Sequence, residues 1–223
     1  MTMYMTKATL NPHKLLLRGG SLPTNVYDSH KALWMLFGDR PDRTRDFVYR
    51  ETDPLRFLVV SEREPVNHDD AWDLEVKAYN PRIRAGERLH FVLRANAVRK
   101  TRDAAGRQKR YDVIQDERIR LRKQGASAKD MPPRAVLAQA AGSRWLLARQ
   151  QGLGLEIEPQ SLMVEGHAMH EFRRKGQGVV RFAALDFRGF ALVRDAERLN
   201  AALVRGVGPS KGFGCGLLTV MRG

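Results

Sequence analysis

Tyr27 and His30 stand three positions apart in a stretch whose apolar residues recur with helical spacing. On a helix that separation sets a phenol and an imidazole on adjoining turns of one face. Imidazole exchanges protons near neutrality. It can take one from a ribose 2′-hydroxyl or give one to a departing 5′-oxygen, a route that needs no metal. The positive end of the helix dipole disfavours imidazolium, which would help keep His30 available as a base. The same helical angle aims His30 near the centre of an apolar arc between Val26 and Phe37. A histidine there is more often packed than catalytic, and Tyr27 alone reads as core or interface. Spacing leaves both roles open.

The other histidines offer less. His167 and His170 have a metal-like H-x-x-H spacing, but they fall in an expected strand, where positions three apart face opposite sides. No metal site is expected from them, and His13, His68 and His90 stand alone. The single cysteine, Cys215, excludes an intrachain disulfide and thiolate-rich zinc sites, which fits a reducing cytoplasm. No cofactor is called for.

Two segments read as possible phosphate contacts. The turn Arg173-Arg174-Lys175-Gly176 concentrates three cations at the tip of an expected hairpin, with Arg181 further along its second strand. Such an arm can reach phosphates along a nucleic-acid groove, although an ordinary basic turn has the same composition. The segment from Gly206 to Leu218 carries glycines at 206, 208, 212, 214 and 216 around Lys211. Glycines leave backbone amides exposed beside a charge, as a phosphodiester cradle requires. No Gly-Lys-Ser/Thr closes the segment and no helix follows, so it is not a Walker loop.

The whole chain, 223 residues, has a formal charge of +14, and Arg94–Lys123 alone holds eleven Lys and Arg against four acids. Solubility seldom needs such an imbalance, and nucleic acid is the commonest cellular polyanion. Charge does not separate RNA from DNA. No run of about 18 apolar residues exists, so no membrane span is expected. Met1–Leu10 lacks the apolar centre of a signal peptide, and a cytoplasmic location is expected.

The elements that must position these residues follow from periodicity. A strand over Tyr4–Leu10 leads through a loop with Gly19, Gly20 and Pro23 to a helix over Thr24–Phe37, stopped by Gly38 and Pro41. Asp46–Glu51 and Leu55–Ser61 form an expected hairpin. A weakly helical Asn67–Asp73 and a strand at Leu74–Tyr79 complete β-α-β-β-(α)-β. Breaks at Asn80-Pro81 and Ala85-Gly86 divide the chain into expected domains 1–84 and 85–223. The second half repeats the scheme. It has a strand at Leu89–Ala95, a basic loop at Arg99–Arg110, a strand-like Tyr111–Gln115 and a flexible Gly125–Pro133. A helix over Arg134–Gln151, a long hairpin from Glu156–Phe172 and Val179–Val193, an Asp195-capped helix to Arg205 and a last strand at Leu217–Met221 follow. The fold class is α+β, two tandem ferredoxin-like (RRM-like) βαββαβ domains.

The pattern Gly206-x-Gly208-x-x-Lys211-x-x-Gly214-Cys215-Gly216-Leu217-Leu218 resembles the glycine-rich C-terminal signature of repeat-processing CRISPR proteins. The Tyr27-x-x-His30 helix, Arg40-Pro41-Asp42-x-x-Arg45-Asp46-Phe47 and the strand Phe91–Asn96 are similar to the CasE family of type I-E Cascade, the CRISPR precursor-RNA processing endoribonucleases. The resemblance implies metal-independent cleavage at the 3′ base of a repeat stem-loop. The 2′-hydroxyl would attack the adjacent phosphate, leaving a 2′,3′-cyclic phosphate and a 5′-hydroxyl. It implies His30 as general acid or base and Tyr27 as its support. Arg173, Arg174 and Lys175 would sit in the stem's major groove, and Lys211 with Gly208, Gly212 and Gly214 would hold the RNA backbone. Lys31 is the basic residue on the first helix, where other members carry more. The product would stay bound as the guide of a Cascade complex, whose other subunits are the implied protein partners. On its own the protein is expected to be a monomer.

Two rivals share the charge and the fold. One is a catalytically silent RNA-binding module, since Lys211-Gly212-Phe213-Gly214 matches the first half of an RNP1 motif. The match then fails, with Cys215, Gly216 and Leu218 in place of its later positions. The other is a structural ribonucleoprotein subunit, which would not need Tyr27 or His30.

Overall fold

Alternation of buried and exposed side chains sets the centre of each half of the chain. The computed structural model describes residues 3–38, 42–102, 105–174 and 178–223. In the first half, β1 (Met3–Leu10) buries Thr6, Ala8 and Leu10 on one face and exposes Lys7 on the other. It is flanked on one side by β3 (Arg56–Ser61) and on the other by β4 (Trp72–Tyr79), with β2 (Phe47–Asp53) beyond β3. Every pairing is antiparallel, in the order β2-β3-β1-β4. A short helix α1 (Pro12–Leu17) and then α2 (Val26–Trp34) lie between β1 and β2. Leu33 of α2 packs with Leu36, Phe37, Phe47, Tyr49, Phe57 and Trp72 as the core of this half.

In the second half β5 (Arg88–Ala95) buries Leu89, Phe91, Leu93 and Ala95 in strict alternation. A hairpin of β6 (Val98–Arg102) and β7 (Gln108–Asp112) leads into α3 (Val113–Lys123) and α4 (Arg134–Leu147). Then come β8 (Leu155–Ile157), the long β9 (Met163–Arg174) and β10 (Gly178–Val193), α5 (Ala196–Arg205) and β11 (Leu218–Arg222). The sheet runs β11-β5-β10-β8, with β9 also paired to β10, all antiparallel. Its helix-facing core joins β5 and β10 to Leu137, Trp145, Leu199 and Leu203. The chain is thus a mixed α+β fold of antiparallel sheets with few helices.

The two halves meet through side chains. Val48 and Val60 turn away from the first core and bury against Leu217, which is why β2 and β3 do not alternate cleanly. A second cluster, Phe172, Phe182, Ala184 and Cys215, takes in Val26, Tyr27 and Phe213.

Several expectations need correction. Asn67–Asp73 is not helical: Asp70 has a positive φ of 50°, Asn67 bonds both ways with the backbone of Trp72, and β4 starts there. The basic stretch Arg99–Arg110 is not all loop: its described residues pair in an antiparallel ribbon, β6 with β7. Tyr111–Gln115 is not a strand, because the Asp112 side chain accepts from the amides of Ile114 and Gln115 and starts α3. The strand expected from Glu156 to Phe172 is interrupted by a single 3₁₀ turn at Pro159–Ser161. Helix α1 has no counterpart in the sequence reading. No described helix is long and apolar enough to cross a membrane.

Candidate active site at the joint between the sheets

Asn25 begins α2 by accepting hydrogen bonds from the amides of Tyr27 (2.9 Å) and Asp28 (3.1 Å). That cap fixes the first turn, so Tyr27 and His30 both face the second half of the molecule. The Tyr27 ring stacks parallel on Phe172 of β9, with centroids 5.3 Å apart and 3° between planes. The His30 ring, half-buried, meets Phe213 edge-on at 5.6 Å and Trp34 at 5.7 Å. A Cβ placed on Gly212 would stand 3.5 Å from Cε1 of His30, so the loop backbone lies directly against the imidazole. Lys31, on the exposed side of the helix, pairs with Asp28 at 2.8 Å and sits 5.0 Å from the Tyr27 ring centre. The Asp28 contact raises the Lys31 pKa and lowers that of Asp28.

The glycine-rich segment is a closed loop. Val207 donates to the Gly216 carbonyl (2.8 Å) and Gly216 donates to the Arg94 carbonyl (2.6 Å). At Gly216 φ is +95°, and an added Cβ would approach the Val207 oxygen to 2.9 Å, so only glycine fits. Gly208 lies over the Trp145 ring, Gly214 over the edge of Tyr49, and Ser210 accepts from the Asn96 side chain at 2.7 Å. Part of the glycine content therefore shapes the loop itself.

Two cations, Lys211 and Arg45, stand close to the turn at Gly212. Lys211 donates to the Arg205 carbonyl at 2.6 Å, at the end of α5. Burial, then repulsion from Arg45 and Arg205, holds its ammonium below the ordinary lysine range. Arg45 reaches within 4.0 Å of the position a Gly212 Cβ would take and donates to the Phe47 carbonyl. Burial is the main influence on its guanidinium and lowers its pKa. Tyr49, whose phenol burial pushes well up, stays protonated and donates to the Gly212 carbonyl at 3.0 Å. The Cys215 thiol is buried and pushed up to about 12, which leaves it inert as a nucleophile.

The structure brings Tyr27, His30, Gly208, Gly212, Gly214 and Lys211 into one region, with Lys31 on its outer edge. Arg173 is exposed on β9 directly after Phe172. The side chain of Arg174, together with Lys175, Gly176, Arg40 and Pro41, lies outside the described residues. Arg181 is committed to Glu171 at 2.8 Å. His167 and His170 have different neighbours: Arg134 and Asp112 for the first, the Phe182 ring for the second. Sequence reasoning quoted Arg45 and Phe213 only as parts of wider motifs and gave no place in the site to Tyr49 or Phe172. Each reads as an ordinary strand or turn residue, and only the meeting of the two sheets makes it part of a site. An imidazole close to a phenol, a tight backbone loop and nearby cations are groups that can bind a phosphodiester and move protons on it.

Residues 3–222 match the family described as CRISPR associated protein. The chain is 27% identical over 201 residues to the "CRISPR system Cascade subunit CasE" of Escherichia coli (strain K12), covering 88% of this chain and 92% of that one. It is 28% identical to the "CRISPR-associated endoribonuclease Cse3" of Thermus thermophilus, covering 98% and 99%. The solved structure of Thermus thermophilus Cse3 bound to an RNA representing a pre-cleavage complex superposes with a TM-score of 0.70 at 26% identity, covering 99% of this chain and all of that one.

Proposed function

Since this chain belongs to the CasE family of CRISPR-associated proteins, we propose that it is an endoribonuclease that cuts CRISPR repeat RNA at the 3′ base of its stem-loop. The observation that carries this reading is the placement of His30 against Gly212, beside Arg45 and Lys211. A phosphodiester lying on the loop would have an imidazole at its reacting atoms and positive charge beside its oxygens. In the proposed reaction the ribose 2′-hydroxyl loses its proton and its oxygen bonds to the adjacent phosphorus. The bond from phosphorus to the 5′-oxygen breaks, and that oxygen takes up a proton. The products are a 2′,3′-cyclic phosphate and a 5′-hydroxyl. His30 serves as acid or base and Tyr27 holds the α2 face in place through its stack on Phe172. The residue types gathered here, an imidazole, a phenol and cations, support a route without metal. Arg173, Arg174 and Lys175 are assigned to the stem's major groove, Lys31 to its phosphates, and Lys211 with Gly208, Gly212 and Gly214 to the RNA backbone at the cut.

The product would stay bound as guide RNA in a Cascade-type complex. The tandem ferredoxin-like reading, divided near residues 84 and 85, is supported by a repeated pairing order. In each half the fourth strand of the plan flanks the first, with the third and second on the other side (β4-β1-β3-β2 and β11-β5-β10-β9). End-group analysis of the cut repeat RNA tests the chemistry. The downstream product should accept a 5′ label from polynucleotide kinase without prior dephosphorylation, and a 5′-phosphate there would overturn the mechanism.

A further inference from the structure

We propose that the β6–β7 hairpin is a second RNA contact, one that holds the unpaired strand flanking the stem-loop rather than the stem; this rests on the RNA reading above. Val98–Asp112 contains six Lys and Arg against two acids. The register sets Lys100 directly opposite Arg110 and Arg102 opposite Gln108, so three cations share one face of the ribbon. Like charges facing each other across an antiparallel pair destabilise it, so folding alone does not favour this arrangement. Lys100, Arg102 and Arg110 are exposed, and none has a carboxylate partner among the described residues.

The nearby described acids are committed elsewhere. Asp112 caps α3, Asp116 holds Arg99 on the ribbon's other face at 2.5 Å, and Glu117 takes Arg120 and Arg144. Lys100 and Arg102, two residues apart on a strand, are separated by roughly 7 Å, close to the spacing of successive phosphates. The ribbon is also braced before any ligand arrives. Trp145 donates to the Val98 carbonyl (3.2 Å) and Val113 to the Ala97 carbonyl (3.2 Å), which limits the ordering cost of binding. Its base adjoins the proposed cleavage site, because Asn96, two residues before β6, bonds to Ser210 of the glycine loop. A strand leaving that loop would pass the base of the hairpin before reaching its cationic face. The stem itself is assigned to the separate β9–β10 arm.

The test compares binding of a bare repeat stem-loop with the same stem-loop extended by unpaired RNA at its 5′ or 3′ end, across a range of salt. The intact protein should show a steeper salt dependence for one extended RNA than for the bare one. K100A/R110A should lose about 1.4 of that slope, at roughly 0.7 per single-strand phosphate contact, and should bind the bare stem-loop unchanged. K100E should also lose the extension's advantage while placing opposite charges across the ribbon, which guards against an effect of unfolding. Unchanged slopes on extended RNA would overturn the inference. So would an equal loss on the bare stem-loop, or normal RNA binding with failed assembly into a protein complex. If the intact protein neither bound nor cut the bare stem-loop, the underlying reading would fail instead.

Discussion

His30 is held by aromatic edges and by the Gly212 backbone, so its ring has few orientations to choose from. A pre-positioned acid–base group is worth about two to four orders of magnitude in rate. His30→Ala should therefore cut repeat RNA at least about a hundredfold more slowly under single turnover, with RNA affinity retained. Unchanged cleavage in that variant would remove His30 from the mechanism. Lys211 allows a prediction about pH. Its free-protein pKa is depressed by burial, and after that by Arg45 and Arg205. A bound phosphate would oppose those influences and raise it. RNA affinity from this residue is then fully present below the depressed value and lost as pH rises through the bound-state value. Lys211→Arg, which stays charged, should flatten the alkaline fall in affinity measured by RNA titration; an identical fall would show that Lys211 does not contact phosphate.

Among the elements, the glycine loop and α2 define the site together. Gly216→Ala forces a positive φ on a residue with a Cβ and drives it against the Val207 carbonyl, a strain of about 1–3 kcal/mol. Thermal melting should report that loss, and cleavage should fall because Gly212 shifts against His30. The sequence made much of this scale legible. The strict alternation of Leu89, Phe91, Leu93 and Ala95 located β5, and Asp195 marked the start of α5 and Val207-Gly208-Pro209 its end. The failures have a common cause in competition between local and tertiary signals. Asp112 was read within a strand because Tyr111 favours one, yet its carboxylate caps α3. The charged residues 99–110 lack an apolar face, so nothing in their pattern signalled a ribbon braced from outside by Asp116 and Trp145. Tyr27 and His30 were visible as a pair, but Phe172 and Phe213, which fix their rings, come from far along the chain.

At the scale of the whole molecule, the proposed RNA contacts are the glycine loop and the two basic hairpins, β6–β7 and β9–β10. The β9–β10 arm extends from Phe172, whose ring touches Tyr27, so RNA held along the arm would meet the proposed catalytic helix at the arm's base. Replacing Arg173 and Arg174 by alanine should weaken binding of the stem-loop and reduce its salt dependence, because each lost phosphate contact releases fewer counterions. An unaltered slope would take the arm off the RNA. The central claim, that the protein cuts through the RNA's own 2′-hydroxyl, is tested most directly by incubating excess protein with labelled repeat stem-loop RNA in EDTA, beside the same RNA carrying a 2′-deoxy sugar at the junction. A single cut at the base of the stem in the first and none in the second is the predicted result. Tight binding without cleavage, or equal cleavage of the deoxy-substituted RNA, would contradict the account.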